Sequence, residues 1–289
     1  MNTHITIGDK AIAGVVVLYN PHVEVIQNIN SYINQINFLF IIDNSEKRNY
    51  EIAEYFQNHS GVEYIFNEDN LGVAAALNIG AKKADEQGCT YLLTMDQDSK
   101  APPGMIETFL EGMKIFKGVG LISPFHYNEA HSLVPSAKKY TTELAVMTSG
   151  NLLNLLAFKD IGGFNEDYFI DHVDTEYCLR LNMMGYKLIQ CNEILLQHNE
   201  ASPIKKNLFY RTVYLYNHSP IRFYYKARNR QYLKKYKRYF PELFRVEAQL
   251  FWRTLLKVIL FENEKILKLK MATLGYIDYL KGKTGRFEK

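Results

Sequence analysis

Cysteine is scarce. The 289 residues contain three, Cys89, Cys178 and Cys191, odd in number and widely spaced. No C-x-x-C occurs, so the pattern supports neither a zinc site nor a disulfide framework, and a reducing cytoplasm fits it best. The start, Met1 to Lys10, lacks an apolar core after a basic stretch, so no signal peptide is expected. The longest apolar run, Gln249 to Phe261, is broken by Arg253 and Lys257. It falls short of the roughly 20 residues that a membrane-spanning helix needs. Internal repeats and low-complexity tracts are missing. So is a G-x-G-x-x-G after the first strand-like segment, which argues against a dinucleotide dehydrogenase. No Gly- and Arg/Lys-rich phosphate loop stands near that segment either, which argues against a nucleotidyltransferase.

Hydrophobic residues make up 47% and charged residues 22%, as in a folded soluble protein and unlike a disordered one. The length suits one full domain with a helical appendage. Tyr (21) and Phe (17) are unusually frequent. Most must be core, and any remainder suits stacking on sugars or a membrane interface. The net charge of +3 hides an asymmetry. Residues 226–289 hold 17 Lys/Arg against 6 Asp/Glu, whereas residues 1–225 hold 17 against 25. Two functional surfaces are implied, the basic one facing an anionic partner.

The first half alternates two periodicities. Ala13 to Tyr19 is a short apolar run ended by Asn20-Pro21, as expected of a parallel strand buried on both faces. Val23 to Ile36 has helical spacing, Phe38 to Ile42 reads as a strand, Tyr50 to Asn58 as a helix and Val62 to Phe66 as a strand. An Ala-rich helix over Gly72 to Gln87 leads to a fourth strand, Thr90 to Met95. This order predicts an α/β fold with right-handed crossovers and a mostly parallel, Rossmann-like sheet covered by helices on both faces. Ligands of such sheets bind beyond the carboxyl ends of the strands, where Asn20, Asp43, Asn67, Asp96 and Asp98 fall. Further on, Met105 to Phe116 reads as a helix, Gly120 to Ser123 as a strand and His126 to Lys139 as a loop. Ala145 to Leu156 suits a strand or a helix equally. Asp174 to Met184 reads as a helix, Lys187 to Gln190 as a strand, and the chain beyond Phe209 as mostly helical.

Asp96-Gln97-Asp98 directly follows a strand. Two carboxylates one residue apart at a turn can share a hard divalent cation, Mg²⁺ or Mn²⁺, that keeps positions open for phosphate oxygens. The bland alternative is a solvated turn. Asp43 is placed to accept from a base imide or a ribose hydroxyl, or equally to close an Asx-turn in Asp-Asn-Ser. Asn70-Leu71-Gly72 opens the Ala-rich helix, whose N-terminus could face phosphate or simply pack. Asp171, Asp174 and Glu176 crowd the start of a helix, more carboxylates than capping requires, so one of them could be a general base. His198, after a strand-like segment, is a candidate third metal ligand.

Together these segments resemble the family 2 inverting glycosyltransferases of GT-A fold, most closely the bacterial rhamnosyltransferase-like branch. The resemblance spans roughly residues 11–235. It rests on VVVLYNP (15–21), IIDNS (41–45), NEDNLGVAAALNIGAKKA (67–84), LLTMDQDS (92–99), SGNLLN (149–154) and GGFNEDYFIDHVDTEYCLRLNMMGYKL (162–188), in that order. It implies that Tyr19, Asn20 and Asp43 line the base and ribose pocket, with Asn70 and Asn78 shaping the cleft. Asp96 sits near ribose and metal, and Asp98 is the principal ligand. Ser149 and Gly150 lie beside the sugars. Asp174 is the catalytic base, supported by Glu176 and Arg180. Arg228-Asn229 matches a segment just past the core. Val173 stands where many relatives carry Glu, for which Asp171 could compensate. Asn199-Glu200-Ala201 follows His198 where many relatives have Gly.

The expectation is a metal-assisted transferase with a catalytic domain over 1–225 and a basic, aromatic helical extension over 226–289. Its donor is a pyrimidine nucleoside diphosphate sugar, with dTDP-rhamnose the first choice from the resemblance. The acceptor is a bacterial surface saccharide or a polyprenyl-linked one, and nucleic acid is not a partner. The extension, rich in Lys, Arg, Tyr and Phe and carrying Trp252, suits the inner face of an anionic cell membrane or a helical packing element. The rival to an enzyme is a membrane-associated carbohydrate-binding scaffold. Retention of Asp96, Asp98 and Asp174 together argues against it, because a binding module needs no base.

Overall fold

A computed structural model describes residues 11–127, 134–198, 204–208 and 211–288, with the backbone alone at 198, 204, 206–208 and 211–213. Packing divides the chain into two units, Met1–Glu166 with Val173–Asn199, and Asp167–His172 with Glu200–Lys289.

The first unit is built on one mixed sheet. Strands β1 (Ile12–Leu18), β2 (Phe38–Asp43), β3 (Val62–Phe66) and β4 (Tyr91–Asp96) pair in parallel in the order β3-β2-β1-β4. Their Val, Ile, Leu and Phe runs make β1, β2 and β4 almost wholly buried, as strands covered on both faces must be. The expectation of a parallel sheet holds for these four.

Beyond β4 the pairing changes. β8 (Asn151–Asn154) lies antiparallel to β4 and to β6 (Val119–Tyr127). β6 runs parallel to β9 (Lys187–His198), which also pairs antiparallel with the two-residue β5 (Ser99–Lys100) and with β7 (Tyr140–Glu143). Short strands such as β5 and β7 leave too little periodicity to read locally. The ambiguous stretch 145–156 holds both outcomes. β8 ends at Asn154, whose side chain accepts from the Leu156 N–H (3.0 Å) and so opens helix α5 (Leu155–Asp160). Of the loop expected at 126–139, residues 128–133 lie outside the described residues, and His126 and Tyr127 end β6.

Helices α1 (Val25–Asn30), α2 (Tyr50–Phe56), α3 (Val73–Glu86), α4 (Met105–Ile115) and α6 (Val173–Met183) complete this unit. The helix expected over 23–36 is interrupted: α1 stops at Asn30 and a 3-10 turn follows at Ile33–Gln35. Ser31 Oγ donates back to the Asn28 carbonyl (2.6 Å) and accepts the Ala101 N–H (2.9 Å). Gln35 Nε2 donates to the carbonyls of Ser31 and Pro102 (3.1 Å each). Such back-bonding competes with the helical ladder. Here it ties the turn to the segment just after Asp98. Gly80 lets α3 lie close on β1, since a Cβ there would stand 2.2 Å from Val15 Cγ2.

The second unit contains the antiparallel pair β10 (Ile204–Leu208) and β11 (Arg211–Leu215), then α7 (Pro220–Leu233), α8 (Pro241–Phe261) and α9 (Lys265–Leu280). The chain beyond Phe209 is thus mostly helical, after one strand. Tyr224 of α7 donates to Asp278 of α9 (2.9 Å), and Lys268 is buried against Glu262 (2.8 Å). Arg230 of α7 pairs with Glu247 of α8 (2.8 Å) under the ring of Phe251. Along α8, Val246, Leu250, Trp252, Leu256 and Leu260 remain exposed.

Candidate active site

Parallel pairing puts the carboxyl ends of β1 to β4 on one edge of the sheet. The first polar residues beyond these ends are linked by side chains rather than simply adjacent. Gln97, between the two carboxylates, accepts the Tyr19 N–H through Oε1 (2.9 Å), and its own carbonyl accepts from Asn28 Nδ2 (2.8 Å). Ser149 is fully buried; its Oγ accepts the Asp96 N–H (3.1 Å) and donates to Ser99 Oγ (2.8 Å). The backbone N–H of Gly150 meets the Thr94 carbonyl (2.7 Å). Gly150 has φ +79, and a Cβ there would meet Leu196 and Pro124 at 2.7 and 2.8 Å, so two constraints demand glycine. The turn carrying Asp96 and Asp98, both half-buried, is therefore held by Tyr19, Asn28 and Ser149.

The nucleotide-side candidates form a second network. Asp43 is fully buried; Oδ1 accepts from the N–H (3.0 Å) and hydroxyl (2.6 Å) of Ser45, and Oδ2 accepts from the Tyr64 hydroxyl. Burial, and then the Asp43 carboxylate, push the Tyr64 phenol well above its ordinary range, so it stays a neutral donor. The Asx-turn alternative for Asp43 is thus present in the structure. Ser45 Oγ also accepts the N–H of Asn20, which sits at φ +46. Asn70 Oδ1 accepts the Gly72 N–H (3.0 Å), and the Gly72 carbonyl accepts from Asn44, which is joined in turn to Asn67. Asn78, on α3, clamps the glycine-rich segment: its amide meets the N–H and carbonyl of Phe164 (both 2.9 Å) and Glu166 (2.8 Å).

Asp174 lies half-buried in the first turn of α6, where Oδ1 accepts the Thr175 N–H (2.7 Å). Glu176 is 1% exposed and pairs with Arg180 (2.8 Å). Arg180 spends its remaining nitrogens on the carbonyls of Ile161 and Gly163. In this arrangement the Glu176–Arg180 pair braces the 161–163 turn. Asp171 belongs to the second unit, where Arg222 holds both its oxygens (2.7 and 2.6 Å). The backbone of His198 pairs with Ser99, next to Asp98 in the chain, and its side chain lies outside the described part.

Two carboxylates on a braced turn suit an ion that completes its coordination with phosphate oxygens and water. Among the described residues, no group of three or more His, Cys, Asp or Glu side chains is placed to hold a metal. The donor set fits Mg²⁺ or Mn²⁺ shared with a diphosphate better than an ion held by protein alone.

Residues 15–156 match the model of the family described as "Glycosyl transferase family 2". The chain carries a family 2 glycosyltransferase domain. The glycosyltransferase is 26% identical over 303 residues to a dTDP-rhamnosyl transferase, RfbF, of Shigella flexneri, a match covering 95% of this chain and 97% of the relative. Among solved structures it is similar to GalNAc-T7 with UDP, GalNAc and Mn²⁺ (TM-score 0.57, 14% identity), over 65% of this chain and under half, 44%, of that one. It is also similar to residues 1–349 of S. aureus TarS (TM-score 0.53, 12% identity), over 94% of this chain and 72% of that one. At such identities these two likenesses concern the fold. The family match encloses Tyr19, Asn20, Asp43, Asn70, Asn78, Asp96, Asp98, Ser149 and Gly150, while Asp171, Asp174, Glu176, Arg180 and His198 lie beyond it.

Sequence reasoning did not single out Gln97, Asn28, Ser99, Asn44 or Tyr64. Each acts through a bond to a partner between 21 and 78 positions away, such as Tyr64–Asp43 and Gln97–Tyr19, and no local pattern announces it. Gln97 and Ser99 stood inside LLTMDQDS and Asn44 inside IIDNS, motifs already noticed, whereas Asn28 and Tyr64 stood in none.

Proposed function

We propose that the enzyme transfers a sugar, with rhamnose the first choice, from a pyrimidine nucleoside diphosphate to a hydroxyl of a bacterial surface saccharide or polyprenyl-linked acceptor, with inversion. The observation that carries this reading is the braced Asp96-Gln97-Asp98 turn at the carboxyl end of β4, within the family match. The printed name of the Shigella relative supports dTDP-rhamnose as donor.

In the proposed chemistry, Tyr19, Asn20, Asp43, Asn70 and Asn78 form the nucleotide side of the cleft, and Ser149 and Gly150 the sugar side. Asp96 and Asp98, with His198 as a third ligand, would hold Mg²⁺ or Mn²⁺, whose charge offsets that building on the departing diphosphate. Asp174 takes the proton of the acceptor hydroxyl as its oxygen bonds to the anomeric carbon. The bond from that carbon to the diphosphate oxygen breaks, and the diphosphate leaves with the electron pair from the opposite face. One base and no enzyme nucleophile give inversion. Holding both substrates in line lowers the barrier by up to about 7–11 kcal/mol.

The division of labour we assign is catalysis in residues 1–225 and surface attachment in 226–289. No helix among the described residues is long and apolar enough to cross a membrane. The exposed apolar side chains of α8, with Arg245 and Arg253 on the same helix, support peripheral contact with an anionic inner membrane face.

The test is calorimetric titration with dTDP, UDP and GDP, with and without Mn²⁺, against wild type and Asp98→Ala. Metal-dependent binding of a pyrimidine diphosphate, lost in the variant, supports the reading. Absence of binding to every diphosphate overturns it in favour of the scaffold.

A further inference from the structure

The segment Asp167–His172 has an unusual backbone. Phe169, Asp171 and His172 take φ of +57, +64 and +66, a region that side chains other than glycine's rarely adopt. Something must hold it, and α7 supplies most of the grips, with the Gly285 N–H on the Asp167 carbonyl (2.7 Å) as a further one. Asn229, fully buried, donates from Nδ2 toward three carbonyls, those of Tyr168 (2.7 Å), Ile170 (2.9 Å) and Asp171 (3.0 Å). Its amide cannot turn over, because Arg228 Nε donates to Oδ1 (3.0 Å) and so fixes which end faces the segment. Arg228 Nη2 takes the Asp167 carbonyl (3.1 Å), while its guanidinium lies 5.3 Å from the ring centres of both Tyr224 and Tyr225. Nearly two turns earlier on the helix, Arg222 grips the Asp171 carboxylate with two bonds, and Phe169 stacks on Tyr225 at 5.1 Å.

We propose that Arg222, Arg228 and Asn229 are positioning residues for the transfer. They lock the left-handed backbone of 169–172, and the chain passes from that segment directly into Val173 and Asp174 at the start of α6. This rests on Asp174 being the general base. Among the described residues the buried Arg228 guanidinium has no carboxylate partner, which is expensive for a mere packing element. Its role as the fixed donor that orients Asn229 accounts for it. Misplacing a reacting group by about 1 Å can cost on the order of 100-fold in rate, so a loosened segment should be felt in turnover before it is felt in donor binding.

The experiment uses the full chain and the variants Asn229→Ala, Arg222→Ala, Arg222→Lys, Asp171→Ala and the double variant Arg222→Ala/Asp171→Ala. Amide hydrogen exchange, kcat and KM for transfer, and nucleoside diphosphate affinity are read on each. Expected for Asn229→Ala is faster exchange confined to 167–175, kcat lower by 10-fold or more, and KM for the donor within about twofold of wild type. Arg222→Ala and the double variant should lose kcat to the same extent, because both break one pair, and Arg222→Lys should recover part of it. Unchanged exchange at 167–175 in both Asn229→Ala and Arg222→Ala overturns the clamp. Faster exchange with wild-type kcat, or equal losses in kcat and in diphosphate affinity, overturns the positioning role. A wild-type enzyme that neither turns over nor binds a diphosphate sinks the transferase reading itself and the positioning role with it, while exchange still decides the clamp.

Discussion

Replacing Ser149 with alanine should weaken the turn that carries Asp96 and Asp98 without touching either carboxylate. The hydroxyl is fully buried, accepts the Asp96 N–H at 3.1 Å and donates to Ser99 Oγ at 2.8 Å. Alanine removes both bonds, the one to the Asp96 N–H and the one to Ser99 Oγ. At about 0.5–1.5 kcal/mol net per hydrogen bond, losing the two costs about 1–3 kcal/mol, more than the small gain from burying a methyl in place of a hydroxyl. With a urea slope of about 3 kcal/mol per molar, the unfolding midpoint should fall by roughly 0.3–1 M. Far-UV circular dichroism is the right probe, because it follows the helices and strands of the first unit, whereas the single tryptophan, Trp252, belongs to α8 of the second. In parallel, metal-dependent affinity for a nucleoside diphosphate should drop, since the spacing of the carboxylates is no longer held. A midpoint within about 0.1 M of wild type, with diphosphate affinity unchanged, would show that the serine braces nothing and refute the reasoning.

Other consequences are as direct. Asp174→Asn should lower kcat by about 10²–10⁴-fold while diphosphate affinity stays within about twofold, as measured by steady-state transfer and calorimetry. Gly80→Ala sets a helix gain of about 1 kcal/mol against overpacking of about 1–3 kcal/mol. With a Cβ only 2.2 Å from buried Val15, overpacking should win and urea unfolding should show net loss; net stabilisation would mean that α3 has room to move. Burial pushes the Cys178 thiol up to about 12 from its ordinary 9.0. The folded chain then keeps a proton that the unfolded chain releases. This contribution is whole below pH 9 and is lost as pH rises toward 12. Wild type should therefore lose about 1.4 kcal/mol relative to Cys178→Ala between pH 8 and pH 10, read by urea titration at each pH.

Much of the parallel half of the sheet was legible from local pattern. Runs such as AGVVVLY and FLFII can only be strands buried on both faces, and their spacing with α2 and α3 forces parallel pairing. That pairing in turn sends Asn20, Asp43, Asn67 and Asp96 to one edge of the sheet. Local pattern failed where the deciding partner is distant. The helix expected to run to Ile36 ends at Asn30 because Ser31 and Gln35 bond to Ala101 and Pro102, about 70 positions on. The two-residue β5 exists only because β9 lies beside it.

The acidic cluster near α6 shows the same division. Three carboxylates in six residues exceed what capping requires, and sequence alone says that much. Only packing distinguishes them: Asp171 is committed to Arg222, Glu176 to Arg180, and Asp174 remains half-buried in the first helical turn. The sequence by itself determined the parallel half of the sheet and the residues at its edge, because a hydrophobic period is a local property of the chain. The tertiary structure alone decided which polar side chains brace one another, because a hydrogen bond depends on a partner that the chain brings back from far away.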